Sequence, residues 1–328
     1  MQDFSDPFVG YSAASPLFTA EGDYQVTAPN KRTAFNLQRF PRKKGRNTFR
    51  IFSLGGSTTY GHPYEDPVSF SGWLRKLLPA SDPGKTWEVI NCGGISYASY
   101  RVARLMEELN RYEPDLYVVY CGHNEFLEER TYRQVAAIHP LLRDAASVLG
   151  HSRTYSALHG LYRKIKADPA AEAKKKFTMP GEVNTILETT YGPTTYRRDD
   201  RLRQQIIEHY RLSLRRMVAL ARSAGAEVVF VTTPVNLRDC SPFKSQHRDG
   251  LRPDEFQKFN EQKTAGQQLE GRKLYEEALL RYQEALRLDD RFAEVQYRTG
   301  KVLFALGRME EAYGHLLRAA EEDVCPLR

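Results

Sequence analysis

The 328-residue sequence has no apolar run near the ~20 residues that a membrane-crossing helix needs. Cysteine is scarce. Cys92, Cys121, Cys240 and Cys325 show no C-x-x-C spacing, so neither a zinc site nor a disulfide framework is indicated. The opening residues, Met1-Gln2-Asp3-Phe4-Ser5-Asp6-Pro7, lack the basic and then apolar regions of a signal peptide. The expectation is a cytoplasmic protein, or one whose targeting or membrane segment lies upstream. Charge of one sign is not concentrated. The net charge is +7, but only Arg42–Arg46 and Lys174–Lys176 are dense in basic residues. No nucleic-acid module surrounds them, so they read as solvated loops and no nucleic-acid partner is expected. A composition of 41% hydrophobic and 27% charged residues fits a soluble globular chain, long enough here for two domains.

What the sequence does contain is a strand that runs into glycine. Phe49 to Leu54 is mostly apolar and leads into Gly55-Gly56-Ser57-Thr58-Thr59-Tyr60-Gly61. Glycines let the backbone turn sharply and let other groups approach closely. Ser57 is thereby presented at the carboxyl end of a strand, where open α/β sheets bind ligands. Gly56 to Gly61 also fits the first part of a phosphate-binding loop, but His62 and Pro63 stand where Lys and Ser/Thr are needed. The plainest alternative is a tight turn with a solvated serine.

Residues 1–48 are rich in Pro, Gly, Ser and aromatics and read as an extended lead that wraps the next domain. After the strand at 49–54, a helix is predicted over 69–78, a second strand over 87–91, a helix over 100–111 and a third strand over 116–121. Strands alternating with helices imply a parallel sheet with helices on both faces. Residues 127–199 read as a largely helical insertion. A long amphipathic helix at 202–220 and a fourth strand at 228–232 complete an α/β domain spanning 49–254.

From 255 to 328 the pattern changes. Gly266 and Gly300, Ala278 and Ala312, and Ala285 and Ala319 are each 34 residues apart, the period of the tetratricopeptide repeat. Each such repeat is a helical hairpin with small residues where its helices cross. The large residue between the alanines is Tyr282, then Leu316. Two ordinary amphipathic hairpins are the alternative. Two repeats are fewer than a free-standing array needs.

In a sheet of order second-first-third-fourth, three strand ends meet at one edge. These are Ser57, the loop Asn91-Cys92-Gly93-Gly94-Ile95-Ser96, and Gly122-His123-Asn124-Glu125. Acyl transfer needs a hydroxyl nucleophile beside N–H donors for the oxyanion. Ser57 N–H, a backbone N–H near Ser96 and the Asn124 side-chain amide are the candidates. Together these blocks resemble the SGNH (GDSL-like) hydrolase family over about residues 49–240. Its motifs are a Gly-flanked serine after the first strand, a glycine loop after the second and G-x-N-[DE] after the third. The resemblance implies a flavodoxin-like three-layer sheet and a serine esterase or acylhydrolase, with Ser57, Ser96 and Asn124 as catalytic residues. The glycine that usually donates in the second block is Ser96 here, and the donor is left open among Gly93, Gly94 and Ser96. The family's final Asp-x-x-His block is absent from the chain.

Each residue also has a structural use. Asn124 is suited to capping the next helix or bracing the turn, His123 reads as structural, and Glu125 is suited to orienting the loop or pairing with an arginine. Asp239 and His247 read as surface residues, with His247 and His209 as fallback bases. Tyr60 and His62 are candidates for the substrate cleft. The function expected is hydrolysis of an ester, such as an acyl or acetyl group on carbohydrate or lipid. No metal or organic cofactor is implied, and the repeats are expected to contact a protein partner. The alternative is a catalytically dead scaffold that binds through the repeats. The missing Asp-x-x-His, and only four strands before the repeats, lead to the expectation that the catalytic base lies beyond residue 328.

Overall fold

The apolar run that ends at Gly55 becomes the central strand of a parallel sheet. The structure, a computed structural model, describes residues 16–122, 124–126 and 196–325. They form two compact units. One holds the described residues up to 126 together with 204–231, and the other holds 196–203 and 232–325.

In the first unit the chain runs through β1 (Phe18–Glu21), β2 (Tyr24–Thr27), β3 (Arg39–Pro41), β4 (Thr48–Gly55) and α1 (Ser57–Tyr60). It continues through α2 (Phe70–Ser81), β5 (Thr86–Gly93), α3 (Ser99–Leu109), β6 (Leu116–Tyr120), α4 (Asp200–Ser223, in this unit from residue 204) and β7 (Glu227–Phe230). The main sheet has the order β5-β4-β6-β7 with every pair parallel, which is the expected second-first-third-fourth arrangement. Side chains alternate across a strand, so one face carries Phe52, Leu54, Ile90, Cys92, Tyr117 and Val119. These pack with Val102, Leu105 and Met106 of α3 and with Met217 and Ala221 of α4. Fully burying one such Leu or Phe contributes roughly 1.5–3 kcal/mol. The other face meets α2, where Arg75 Nε donates to Val89 O at 2.8 Å and the Phe70 ring lies 6.1 Å from that of Tyr120.

Residues 16–41, expected as an extended lead, fold as a small antiparallel sheet, β1-β2-β3. Its Phe18 and Phe40, together with Phe35, are buried in the same core as the main sheet. The buried Glu108 carboxylate fixes where this segment starts. It accepts from Leu17 N at 2.9 Å and Phe18 N at 3.2 Å. The helical insertion expected at 127–199 lies outside the described residues, apart from 196–199.

The second unit contains α5 (Pro253–Gly271), α6 (Tyr275–Leu288), α7 (Ala293–Ala305) and α8 (Met309–Glu321), which make two helical hairpins. A side-chain carbon placed on Gly266 would sit 2.5 Å from the Tyr282 ring, and one on Gly300 would sit 2.6 Å from Leu316 Cγ. The 34-residue spacing therefore recurs as the same crossing contact. Residues 232–252, which sequence pattern places with the α/β domain, group with the helices, where the Phe243, Lys244 and Arg248 N–H groups bond. Among the described residues, β7 pairs with β6 alone, and Val229 is 50% exposed on that edge. No helix among them is long and apolar enough to cross a membrane.

One buried charge joins several elements. The Arg50 side chain is fully buried in β4. Its guanidinium reaches Glu88 Oε2 at 2.6 Å, Tyr112 O at 2.6 Å and Pro41 O at 2.9 Å. Arg50→Ala strands the Glu88 carboxylate and two carbonyls. Breaking a buried pair in this way costs roughly 3–5 kcal/mol. Chemical denaturation of Arg50→Ala against the parent chain is expected to show a loss of that order.

Candidate active site

Ser57 is the first residue of α1, directly after the turn at Gly55 and Gly56. Gly55 has φ +156, and a side-chain carbon there would collide with Tyr120 O and Thr59 Oγ1. At Gly56 an added carbon would lie 2.7 Å from Asn124 Nδ2 and 3.2 Å from Tyr97 O. The two glycines thus let the end of β4 sit against the end of β6 and the Asn124 turn. At Gly93 an added carbon would strike the backbone of Thr59 and Tyr60, so the end of β5 is backed onto α1. Ser57 and Ser96 are partly exposed, whereas Asn124 is buried.

An account of the N–H groups narrows the choice left open among the second-block donors. Gly93 N donates to Asn91 Oδ1 at 3.0 Å, and Gly94 N donates to Gly55 O at 3.0 Å. Ile95 N donates to Ala34 O at 3.0 Å. Among the described residues Ser96 N–H has no partner, and neither does Ser57 N–H at the uncapped start of α1. Ser96 has φ 61, the left-handed region that favours glycine. Asn124 gives one amide hydrogen to Tyr97 O at 3.0 Å, and its second has no partner among the described residues.

The remaining candidates divide by contact. Glu125 is 2% exposed and accepts from Ser99 N at 2.7 Å and Ser99 Oγ at 2.8 Å, so it caps the start of α3. Tyr60 O accepts from Asn36 Nδ2 at 2.7 Å and Asn91 Nδ2 at 3.3 Å, and His62 is exposed. The His209 ring on α4 lies 5.8 Å from that of Tyr100. Asp239 and His247 belong to the second unit and pair elsewhere: Asp239 with Arg238 and Lys301, His247 Nδ1 with Asp289 at 2.7 Å. His247 is half-buried, its ring 4.5–5.1 Å from those of Phe256, Phe259 and Phe292, so it is not the surface residue that its loop position suggested. His123 lies outside the described residues. Among those described, nothing forms a hydrogen bond to the Ser57 side chain, and no three His, Cys, Asp or Glu side chains cluster as metal ligands. Burial pushes the Cys121 thiol up, with the nearby Glu125 charge adding to the effect. Neutral, it is a packing group rather than a nucleophile.

The support of the site was not legible in the sequence. Asp66 Oδ1 accepts from Asn91 Nδ2 at 2.7 Å and from Arg75 Nη2 at 2.9 Å, and Gln38 Nε2 donates to its second oxygen at 3.1 Å. Asn91 in turn holds Gly93 N and Tyr60 O. No motif marks Asp66, because its partners are scattered over 53 positions of chain from Gln38 to Asn91. No protein-family model matches the chain, and no curated protein matches it in sequence.

Burial acts to raise the Asp66 pKa. The hydrogen bonds from Arg75, Asn91 and Gln38 outweigh it and hold the carboxyl below its usual range. A folded-state pKa below the unfolded one gives stability that is present above the unfolded value and is lost as pH falls through the folded one. Asp66→Asn is therefore expected to lower Tm at neutral pH. Its deficit relative to the parent should shrink below about pH 4, where the unfolded carboxyl protonates before the folded one. Thermal melts of both chains between pH 7 and pH 3 read this.

Proposed function

We propose that the first unit is a serine esterase or acylhydrolase of SGNH type on a flavodoxin-like three-layer sheet, with Ser57 as nucleophile. The observation that carries this reading is the set of three N–H groups without partners among the described residues, on Ser57, Ser96 and Asn124, all at the carboxyl edge of the sheet. The Ser57 oxygen attacks the ester carbonyl, and the C=O electron pair moves onto oxygen. The three N–H groups bind that oxyanion. Its collapse expels the alcohol and leaves an acyl-serine, which water then cleaves to the acid and free Ser57. The serine proton passes to a base within roughly 2.6–3.2 Å, which returns it to the departing alcohol oxygen. These steps call for no metal or organic cofactor. The substrate class is an ester, such as an acyl or acetyl group on carbohydrate or lipid.

The second reading is a hydrolase-like scaffold that binds a protein through tetratricopeptide repeats in the second unit. Met309, Tyr313 and Leu317 form an i, i+4, i+8 stripe on α8 and are 54%, 60% and 37% exposed. One 34-residue period earlier, Tyr275 and Leu279 belong to the helical core that Val295 and Val302 of α7 share. The stripe thus fits a partner helix that carries apolar residues spaced as they are in α7.

A fluorophosphonate probe separates the two readings. The enzyme reading expects covalent labelling on Ser57 that Ser57→Ala abolishes. Labelling that survives Ser57→Ala, or no labelling in a chain extended to carry the expected base, favours the scaffold. If p-nitrophenyl acetate is turned over, Asn124→Ala is expected to lower kcat by ~10²–10³ with little change in KM, as for other oxyanion donors. A loss confined to KM would assign Asn124 to ground-state binding.

A further inference from the structure

Two buried aspartates in the second unit are separated by the repeat period. Asp289 follows α6 and Asp323 follows α8, 34 positions later, and both are at least 93% buried. Each accepts from the backbone N–H two residues ahead, Arg291 N and Cys325 N, both at 3.0 Å. Each also accepts a pair of donors from one segment that has neither helix nor strand. Asp323 takes Phe243 N at 2.8 Å and Lys244 N at 3.0 Å. Asp289 takes His247 Nδ1 at 2.7 Å and Arg248 N at 3.2 Å.

The two donor pairs are four residues apart. Four residues of extended chain reach at most about 13–14 Å, enough to cross helix layers packed roughly 8–10 Å apart. Between them Ser245 Oγ accepts from Glu294 N at 2.8 Å and caps α7, whose own N-cap residue, Phe292, has no side-chain cap. Further along, Tyr297 Oη on α7 donates to Arg238 O at 2.8 Å.

We propose that residues 238–248 are a built-in peptide ligand of the two hairpins. Each repeat offers one buried carboxylate that reads backbone N–H groups, and this face of the repeats is therefore occupied by the chain itself. Carboxylates bound to backbone N–H groups make strong, directional hydrogen bonds with little regard for side chain, which suits recognition of an extended peptide. Tethering supplies the segment at a high effective concentration, so a peptide from another protein must displace it. The inference rests on the repeat geometry and is independent of the esterase reading.

Amide hydrogen exchange on the full chain tests it. Asp323→Asn is expected to raise exchange at Phe243 and Lys244 by about tenfold or more, and Asp289→Asn to do so at Arg248, as loss of a hydrogen bond to a charged group implies. Asp290→Asn, an exposed neighbour, is expected to change neither. A glycine inserted between Ser245 and Gln246 leaves every helix sequence intact but breaks the four-residue match. It should unprotect one donor pair while the α6 and α8 amides stay protected. A labelled synthetic peptide of residues 241–249 should bind the inserted variant and not the parent chain. Unprotected Phe243, Lys244 and Arg248 amides in the parent would overturn the proposal. So would an insertion that leaves both pairs protected, or a peptide that binds both chains alike.

Discussion

No side chain fits on residue 55, and one on residue 56 would crowd the Asn124 amide; the α/β unit depends on that. Tyr120 O and Thr59 Oγ1 occupy the space where a carbon on Gly55 would go, and the Asn124 amide and Tyr97 O occupy it at Gly56. The close approach brings the end of β4 against the end of β6, which sets Ser57 beside Asn124. It also requires that β4 be held in register on both sides. Arg50 does this at the other end of the strand, through Glu88, Tyr112 O and Pro41 O. A buried guanidinium held by three hydrogen bonds is costly to disturb, so the strand is pinned at that end.

The small N-terminal sheet belongs to the same constraint. Ala34 O accepts from Ile95 N, Asn36 holds Tyr60 O, and Gln38 Oε1 accepts from Asn91 N at 2.9 Å. These bonds fix the second-block loop from outside the main sheet. By using Ile95 N, and with Gly93 and Gly94 N–H already taken, they leave Ser96 as the residue in that loop whose N–H has no partner among the described residues. Ser96 adopts a left-handed backbone without being glycine, a conformation that is unfavourable for an L-residue. Such strain is retained where the surroundings over-determine it, and it is common at functional sites.

The helical unit depends on a different device, repetition. The same crossing contact, the same buried alanines and the same buried aspartate recur at 34 residues. Repetition makes Asp289 and Asp323 equivalent, so one short segment engages both in turn. The segment after β7 therefore groups with the helices although its composition is that of a loop.

Much of this was already decided by local sequence. Apolar runs bounded by glycine and proline specify β4, β5 and β6. Spacings of three and four specify α2, α3 and α4, and the 34-residue period specifies the two hairpins, because these patterns depend only on near neighbours. Ser57 and Asn124 were visible as candidates because glycine marks the strand ends that present them. Tertiary structure alone decided what depends on distant pairs. β1, β2 and β3 are three or four residues long and carry no period of their own, so their pairing appears only once Phe18 and Phe40 reach the core. Asp66, the accounting of N–H groups that isolates Ser96, and the attachment of residues 243–248 to Asp289 and Asp323 are likewise hydrogen bonds across tens of residues. Sequence supplies the donors and acceptors for such bonds, and only the folded chain decides which of them meet.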